Sequence, residues 1–228
     1  MAGEELATLS KPGRRRAVFL DRDGTINEEM GYMNHLTRFH MFPYSAPAIR
    51  RLNDAGWPVI VITNQSGCSR GFFPEEMIGQ VHDRLTTELA AGGARLDGIY
   101  YCPHQMSDAC NCRKPLLGML EQAASEHNLE LTGSWVVSDR YADLEMAHAV
   151  NGHSVLVLTG YGRGEYEWNR SNWPRQPDYV AENLEAAIDA IISSREFSRD
   201  SSREFARDPS REAGRDSSRE FSRDKEPQ

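Results

Sequence analysis

The stretch Ala17-Val-Phe-Leu-Asp21-Arg-Asp23-Gly24-Thr25-Ile-Asn27 constrains the fold more than any other. Four apolar residues in a row predict a short strand buried on both faces, and Gly24-Thr25 marks the break into a loop. Asp21 and Asp23 therefore stand just past the carboxyl end of a buried strand, the edge at which open α/β sheets bind ligands. Two carboxylates one residue apart repel each other and call for a cation or a shared proton. Mg²⁺ suits them, because it takes carboxylate and carbonyl oxygens while keeping sites for water and phosphate. Taken alone, the tetrapeptide Asp-Arg-Asp-Gly also reads as a solvated turn.

The same arrangement recurs downstream. Ala46–Ala55 has a helical apolar face through Ile49 and Leu52 and stops at Gly56. Trp57–Ile62 is a second apolar strand, so strand, helix and strand form a right-handed βαβ unit of a parallel sheet. Thr63-Asn64-Gln65-Ser66-Gly67 follows, with a hydroxyl and an amide at a strand end that can bind a phosphoryl oxygen; a plain polar turn is the competing reading. A helix after Pro74 carries Met77, Val81, Leu85 and Leu89, and Leu96–Tyr101 is the third strand. A helix is expected over 115–127, a fourth strand over 134–138 and a fifth over 154–158. Gly160, Gly162 and Gly164 suggest a flexible loop, Tyr179-Val180 an edge strand, and 184–192 a last amphipathic helix.

Between the third strand and the next helix lie Cys102, His104, Cys110 and Cys112. Three thiols and an imidazole within eleven residues fit a tetrahedral Cys₃His Zn²⁺ site. A disulfide and free reduced thiols are the competing readings. With no open position, such a site is structural, and metal binding supplies folding free energy to a loop poor in apolar residues. Arg113-Lys114 follows directly. Lys114 is a compact charge suited to a phosphoryl oxygen, and Arg113 a fork suited to a second anionic or hydroxylated group; by residue type alone the pair also reads as a surface Arg-Lys before a Pro.

These segments resemble the motifs of the haloacid dehalogenase superfamily. Asp21-Arg-Asp-Gly-Thr resembles its first motif, Thr63 its second, Lys114 its third, and Asp139-Arg-Tyr-Ala-Asp143 its fourth, with Ser138 where the family usually has Gly. Within it, Asp21-Arg-Asp-Gly-Thr-Ile-Asn, Thr63-Asn-Gln-Ser-Gly, Asp97-Gly-Ile-Tyr-Tyr-Cys-Pro-His and Cys110-Asn-Cys-Arg-Lys-Pro resemble the D-glycero-D-manno-heptose 1,7-bisphosphate 7-phosphatase and histidinol-phosphate phosphatase-like branch. The resemblance implies a single Rossmann-like α/β domain with a central, mainly parallel sheet flanked by helices, a zinc loop and no large cap. It implies Asp21 as nucleophile, Asp23 as general acid and base, and Thr63 and Lys114 on the phosphoryl oxygens. Mg²⁺ would be held by Asp21, Asp23 and Asp139, and Zn²⁺ by the Cys₃His set. Substrate contacts would come from Glu29, Met30, Gly31, Tyr32, Asn64, Arg113 and Arg140. Asp143 is expected at a helix start or behind the metal ligands; if that helix begins at Asp139, the two acids share its face. The implied reaction removes the 7-phosphate of heptose bisphosphate through an aspartyl phosphate, with histidinol phosphate as the alternative substrate. A non-catalytic zinc-stabilised binding module is the alternative from another class.

Composition sets the remaining expectations. The chain has 228 residues and a net charge of −8. From Ser193 it becomes four imperfect eight-residue repeats, each with two Arg, one Glu and one Asp, so all the net negative charge lies in residues 1–192. Repeats with at most one large apolar residue each cannot offset the entropy of ordering, which predicts a disordered tail over 193–228 or at best a transient helix. Residues 1–16 are expected to be flexible and 17–192 to form the phosphatase domain. The acidic balance argues against a nucleic-acid or membrane surface. No apolar run approaches the roughly 18 residues of a membrane span. A cytoplasmic monomer acting on a small sugar phosphate is expected.

Overall fold

A computed structural model describes residues 13–205, with side chains described through residue 194. Six strands form one sheet: β1 (Arg15–Leu20), β2 (Val59–Asn64), β3 (Gly98–Cys102), β4 (Leu129–Ser138), β5 (His153–Val157) and β6 (Tyr179–Ala181). Their order is β3-β2-β1-β4-β5-β6, and every neighbouring pair is parallel. The chain winds outward from β1 to β3, then returns beside β1 with β4. The order therefore reverses between β1 and β4, and a crevice opens outside their carboxyl ends. Asp21 and Asp139 are the first residues beyond those two ends.

Strand alternation divides the core between the two faces. Val18 and Leu20 point to the face covered by α1 (Ser45–Asp54), α2 (Glu76–Ala91) and the first turns, through residue 192, of α6 (Leu184–Phe205), by way of Ile49, Leu52, Leu85, Leu89 and Ile188. Ala17 and Phe19 point to the face covered by α3 (Gly118–Glu126) and α4 (Tyr141–Ala149), through Leu120, Ala123, Leu144 and Met146. With helices on both sides, the central strands read as unbroken apolar runs, as Val59-Ile-Val-Ile62 does. Among the described residues no helix is long and apolar enough to cross a membrane.

Several boundaries differ from expectation. β1 begins at Arg15, inside the segment expected to be flexible, because Arg15 and Arg16 pair with Leu129 and Glu130 of the longer β4. The glycine segment is not a flexible loop: α5 (Gly162–Asn169) starts at its second glycine, where a Cβ would strike the Val157 carbonyl. α3 starts at Gly118 rather than near Pro115, after a turn in which the Leu116 N–H donates to the Arg113 carbonyl at 2.9 Å. The last helix passes the expected end at Ile192 and runs to Phe205. No Gly or Pro interrupts the chain from Leu184 until Pro209, so a helix anchored by its first turns meets no breaker. The compact unit that holds the sheet ends at Ile192. The rest of the expected disordered tail, 206–228, and residues 1–12 lie outside the described residues.

Candidate active site

The loop after β1 is tied to one atom: the N–H groups of Thr25, Ile26 and Asn27 all donate to the Arg22 carbonyl, at 3.3, 2.8 and 3.2 Å. This tight turn needs a positive φ at Gly24, +77°. Space demands glycine as well, since a Cβ at Gly24 or at Gly160 would overlap the Asp139 carboxylate. Asp139 is thus wedged between two loops and is 1% exposed. Its Oδ2 accepts from the Tyr161 N–H at 2.9 Å, while its Oδ1 is buried without a hydrogen-bond partner. Burial pushes Asp139 up to about 8, and the Asp21 charge adds to the shift. Burial likewise pushes Asp21 up to about 7 against the pull of Lys114. A buried carboxylate oxygen without a donor, facing a second carboxylate, is a place for a hard cation.

Lys114 lies at the centre of the site. Its Nζ is 2.8 Å from Asp21 Oδ1, 2.7 Å from Asp143 Oδ2 and 3.1 Å from the Ile62 carbonyl, and its side chain is 2% exposed. Burial disfavours its charge, but Asp143 and Asp21 outweigh that and raise its proton affinity. The Asn64 carboxamide clamps the Lys114 backbone, accepting from its N–H at 3.1 Å and donating to its carbonyl at 3.2 Å.

Asp23 is the opposite case from Asp21. Burial alone would raise it, yet the Arg22 guanidinium, with Asn27 and Gln65, holds it below the usual carboxylate range. Arg22 is almost wholly buried and grips Asp23 with two nitrogens, at 3.2 and 2.7 Å.

These groups open onto a pocket of about 590 Å³ lined by Asp21, Asp23, Thr63 and Lys114, and by Glu29, Gly31, Tyr32, Asn64, Arg113 and Arg140. Met30 lies instead in an adjoining recess with Glu28, Phe42 and Tyr161, and its carbonyl accepts from Arg38 at 2.7 Å. Arg140 stacks on the Tyr161 ring, 3.6 Å from its centroid. The Arg113 Nη1 donates to the His104 carbonyl at 3.1 Å, which joins the pocket to the cysteine loop. In that loop the donor atoms of Cys102, His104, Cys110 and Cys112 lie within 4.8 Å of one another. Cys102 Sγ and Cys110 Sγ are 3.6 Å apart, and His104 Nδ1 and Cys112 Sγ 3.3 Å. Thiolates at about 2.3 Å from a tetrahedral zinc would stand nearly this far apart.

Asp139 and Asp143 do not share a helix face. α4 begins at Tyr141 after Arg140, so Asp139 turns toward the Gly160 loop and Asp143 toward Lys114. Sequence reasoning also passed over Arg22, Asn27, Gln65, Ser138 and Tyr161. Arg22 left one signal, a cation between two acids at the end of a buried strand. Ser138 stood in the fourth motif as a departure from Gly; its hydroxyl donates to Asp143 Oδ2 at 2.8 Å and accepts from the Arg140 N–H at 3.1 Å.

Residues 111–187 match the family model described as HAD-hyrolase-like. The D-glycero-D-manno-heptose-1,7-bisphosphate 7-phosphatase of Thermosynechococcus vestitus is 40% identical over 188 residues, covering 78% of this chain and 95% of that protein. The D-glycero-beta-D-manno-heptose-1,7-bisphosphate 7-phosphatase of Yersinia pestis is 42% identical over 152 residues, covering 63% of this chain and 81% of that protein. The D,D-heptose 1,7-bisphosphate phosphatase from B. bronchiseptica, solved with magnesium and phosphate, superposes with a TM-score of 0.72 at 34% identity, over 78% of this chain and 99% of that one. On these likenesses, together with the parallel sheet and the acid-rich crevice at its switch point, the chain belongs to the heptose-bisphosphate phosphatase family of haloacid dehalogenase-like hydrolases.

Proposed function

We propose that the chain is a Mg²⁺-dependent phosphomonoesterase that removes the 7-phosphate of D-glycero-D-manno-heptose 1,7-bisphosphate through a phosphorylated Asp21. One observation carries the reading: Asp21, Asp23, Thr63 and Lys114 border one pocket, and a donorless Asp139 oxygen is buried beside Asp21. Asp21, the Asp23 carbonyl and Asp139 would hold Mg²⁺, which when bound neutralises phosphoryl charge and screens the nucleophile. Lys114 and Thr63 hold phosphoryl oxygens. Asp21 attacks phosphorus as Asp23 passes a proton to the departing sugar oxygen. Asp23 then takes a proton from the water that cleaves the acyl phosphate, which returns Asp21. Arg113 and Arg140, two cations beyond the phosphoryl position, suit the second phosphate of a bisphosphate. Glu29, Gly31, Tyr32 and Asn64 border the sugar, with Met30 set back in its recess. Cys102, His104, Cys110 and Cys112 would hold a structural Zn²⁺ that fixes Arg113 and Lys114. We read the protein as a cytoplasmic monomer without a nucleic-acid or membrane partner, its phosphatase domain being residues 17–192.

Phosphate release from heptose bisphosphate with Mg²⁺ and with EDTA tests the reaction, and histidinol phosphate in parallel tests the substrate. Metal-dependent release that disappears in Asp21→Asn is expected, with kcat/KM for the bisphosphate higher. Full activity in Asp21→Asn overturns the mechanism, and a preference for histidinol phosphate overturns the substrate.

A further inference from the structure

Asp23 is held by more donors than a proton-transfer group can keep. Its Oδ1 accepts from Arg22 Nε at 3.2 Å and Asn27 Nδ2 at 2.9 Å. Its Oδ2 accepts from Arg22 Nη2 at 2.7 Å and Gln65 Nε2 at 2.9 Å. An ionised carboxylate offers about four lone-pair sites. Four donors fill them, so no site is left for a proton or for a leaving oxygen, and one donor must withdraw in every turnover.

The candidates are not equally free to do so. Arg22 has a side chain 1% exposed, is charged, and grips both oxygens. Releasing it would strand a buried cation. Asn27 is fully buried, and its Nδ2 also donates to the Glu28 carbonyl at 2.9 Å. Gln65 is neutral and stands in the pocket wall. Its Nε2 spends one N–H on Asp23 and the other on Thr63 Oγ1, at 2.9 Å. A hydroxyl that accepts from Gln65 keeps its own proton to donate, and a phosphoryl oxygen is where that proton is needed.

We propose that Gln65 is a positioning residue that couples phosphoryl binding at Thr63 to the release of Asp23. Its carboxamide bridges the two in the resting site. When the Thr63 hydroxyl turns to a phosphoryl oxygen, the Gln65 N–H leaves Asp23 Oδ2, and that oxygen becomes the one facing the leaving group. Freed of that donor, Oδ2 takes a proton from solvent and passes it to the sugar oxygen as the ester P–O bond breaks and the Asp21–phosphorus bond forms. In the hydrolytic half-reaction Asp23 takes a proton from the attacking water and returns it to solvent as the Gln65 N–H closes on Oδ2 again. The inference depends on Asp23 being the acid and base of a phosphatase, as proposed for the site.

The test compares two esters with Mg²⁺ present: a sugar phosphate, whose alkoxide needs the Asp23 proton, and p-nitrophenyl phosphate, whose leaving group does not. Gln65→Met keeps the length and removes the N–H; Gln65→Glu is the second variant, for use should the first misfold by thermal melting. kcat/KM reports the steps through transfer to Asp21 and is blind to the hydrolysis after it. General acid catalysis contributes about 10²–10⁴-fold. With the bridge gone, phosphoryl binding at Thr63 no longer selects which Asp23 oxygen faces the leaving group, so kcat/KM should fall for the sugar ester by about 10–100-fold and for the aryl ester by less than about 3-fold. Equal losses for both esters, or no loss, overturn the proposal, because a structural role lowers both together. A wild-type protein that hydrolyses neither ester overturns the phosphatase reading itself, a different result from an unchanged ratio.

Discussion

Removing Lys114 should destabilise the fold by an amount that depends on Asp143 and on pH. Lys114 Nζ lies 2.7 Å from Asp143 Oδ2 and 2.8 Å from Asp21 Oδ1, with a side chain 2% exposed. At an effective dielectric constant near 20, each such pair attracts by about 6 kcal/mol before desolvation is counted. Lys114→Met leaves two buried carboxylates facing a methyl group. Breaking a buried pair in this way costs about 3–5 kcal/mol. Asp143→Asn alone keeps Lys114 paired with Asp21 and the Ile62 carbonyl, so its expected cost is about 1–2 kcal/mol. In the double variant the neutral amide at position 143 no longer repels Asp21, and the total cost should fall about 2 kcal/mol short of the sum of the single variants. The pH dependence has a definite sign. Burial pushes Asp21 up to about 7, above its unfolded value of 3.8, so the folded state binds this proton more tightly and stability falls as pH rises between those values. Without Lys114 the folded value rises further, so the Lys114→Met penalty should be larger at pH 8 than at pH 5. Urea unfolding of metal-free protein at both pH values measures all four corners of the cycle. Additivity within about 0.5 kcal/mol, or a penalty equal at both pH values, would refute the picture of Lys114 as the charge that makes this carboxylate pair tolerable.

Burial holds Asp21 near 7 and Asp139 near 8, so Mg²⁺ must displace protons; apparent Mg²⁺ affinity by calorimetry should rise from pH 6 to pH 8, and a flat profile would count against these two ligands. Gly160→Ala pushes a methyl into the Asp139 carboxylate at a φ of +53°; Mg²⁺ binding should weaken by at least about tenfold, in line with the 10–100-fold typical of lost support to a ligand, while Gly164→Ala, with nothing near its Cβ, should bind normally. Metal analysis should find one zinc per chain, and Cys110→Ser should lose it together with about 10-fold or more of kcat, through the Arg113–His104 link and the adjoining Lys114; full activity in a zinc-free protein would separate the loop from the site.

The local chain determined the strands and the chemistry at their ends. Ala17–Leu20 and Val59–Ile62 are apolar on both faces, which only a sheet covered twice can bury, and the acids, hydroxyl and lysine that follow such runs had to collect at one edge. The Cys₃His spacing was equally local, because a metal needs only a short loop to bring its ligands together. Tertiary structure decided the charge states and the supporting contacts. Asp21 and Asp23 sit two residues apart, yet burial raises one and Arg22 lowers the other; a sequence names the acids but not their solvent or their partners. Asp143 read as a helix-start acid because its partner Lys114 lies 29 residues earlier. Gln65 read as a turn residue because its acceptor Asp23 lies 42 residues earlier and comes within reach only when β1 and β2 lie side by side. Interactions along one segment follow from periodicity and turn chemistry, whereas desolvation and long-range charge pairing exist only after the sheet has closed its crevice.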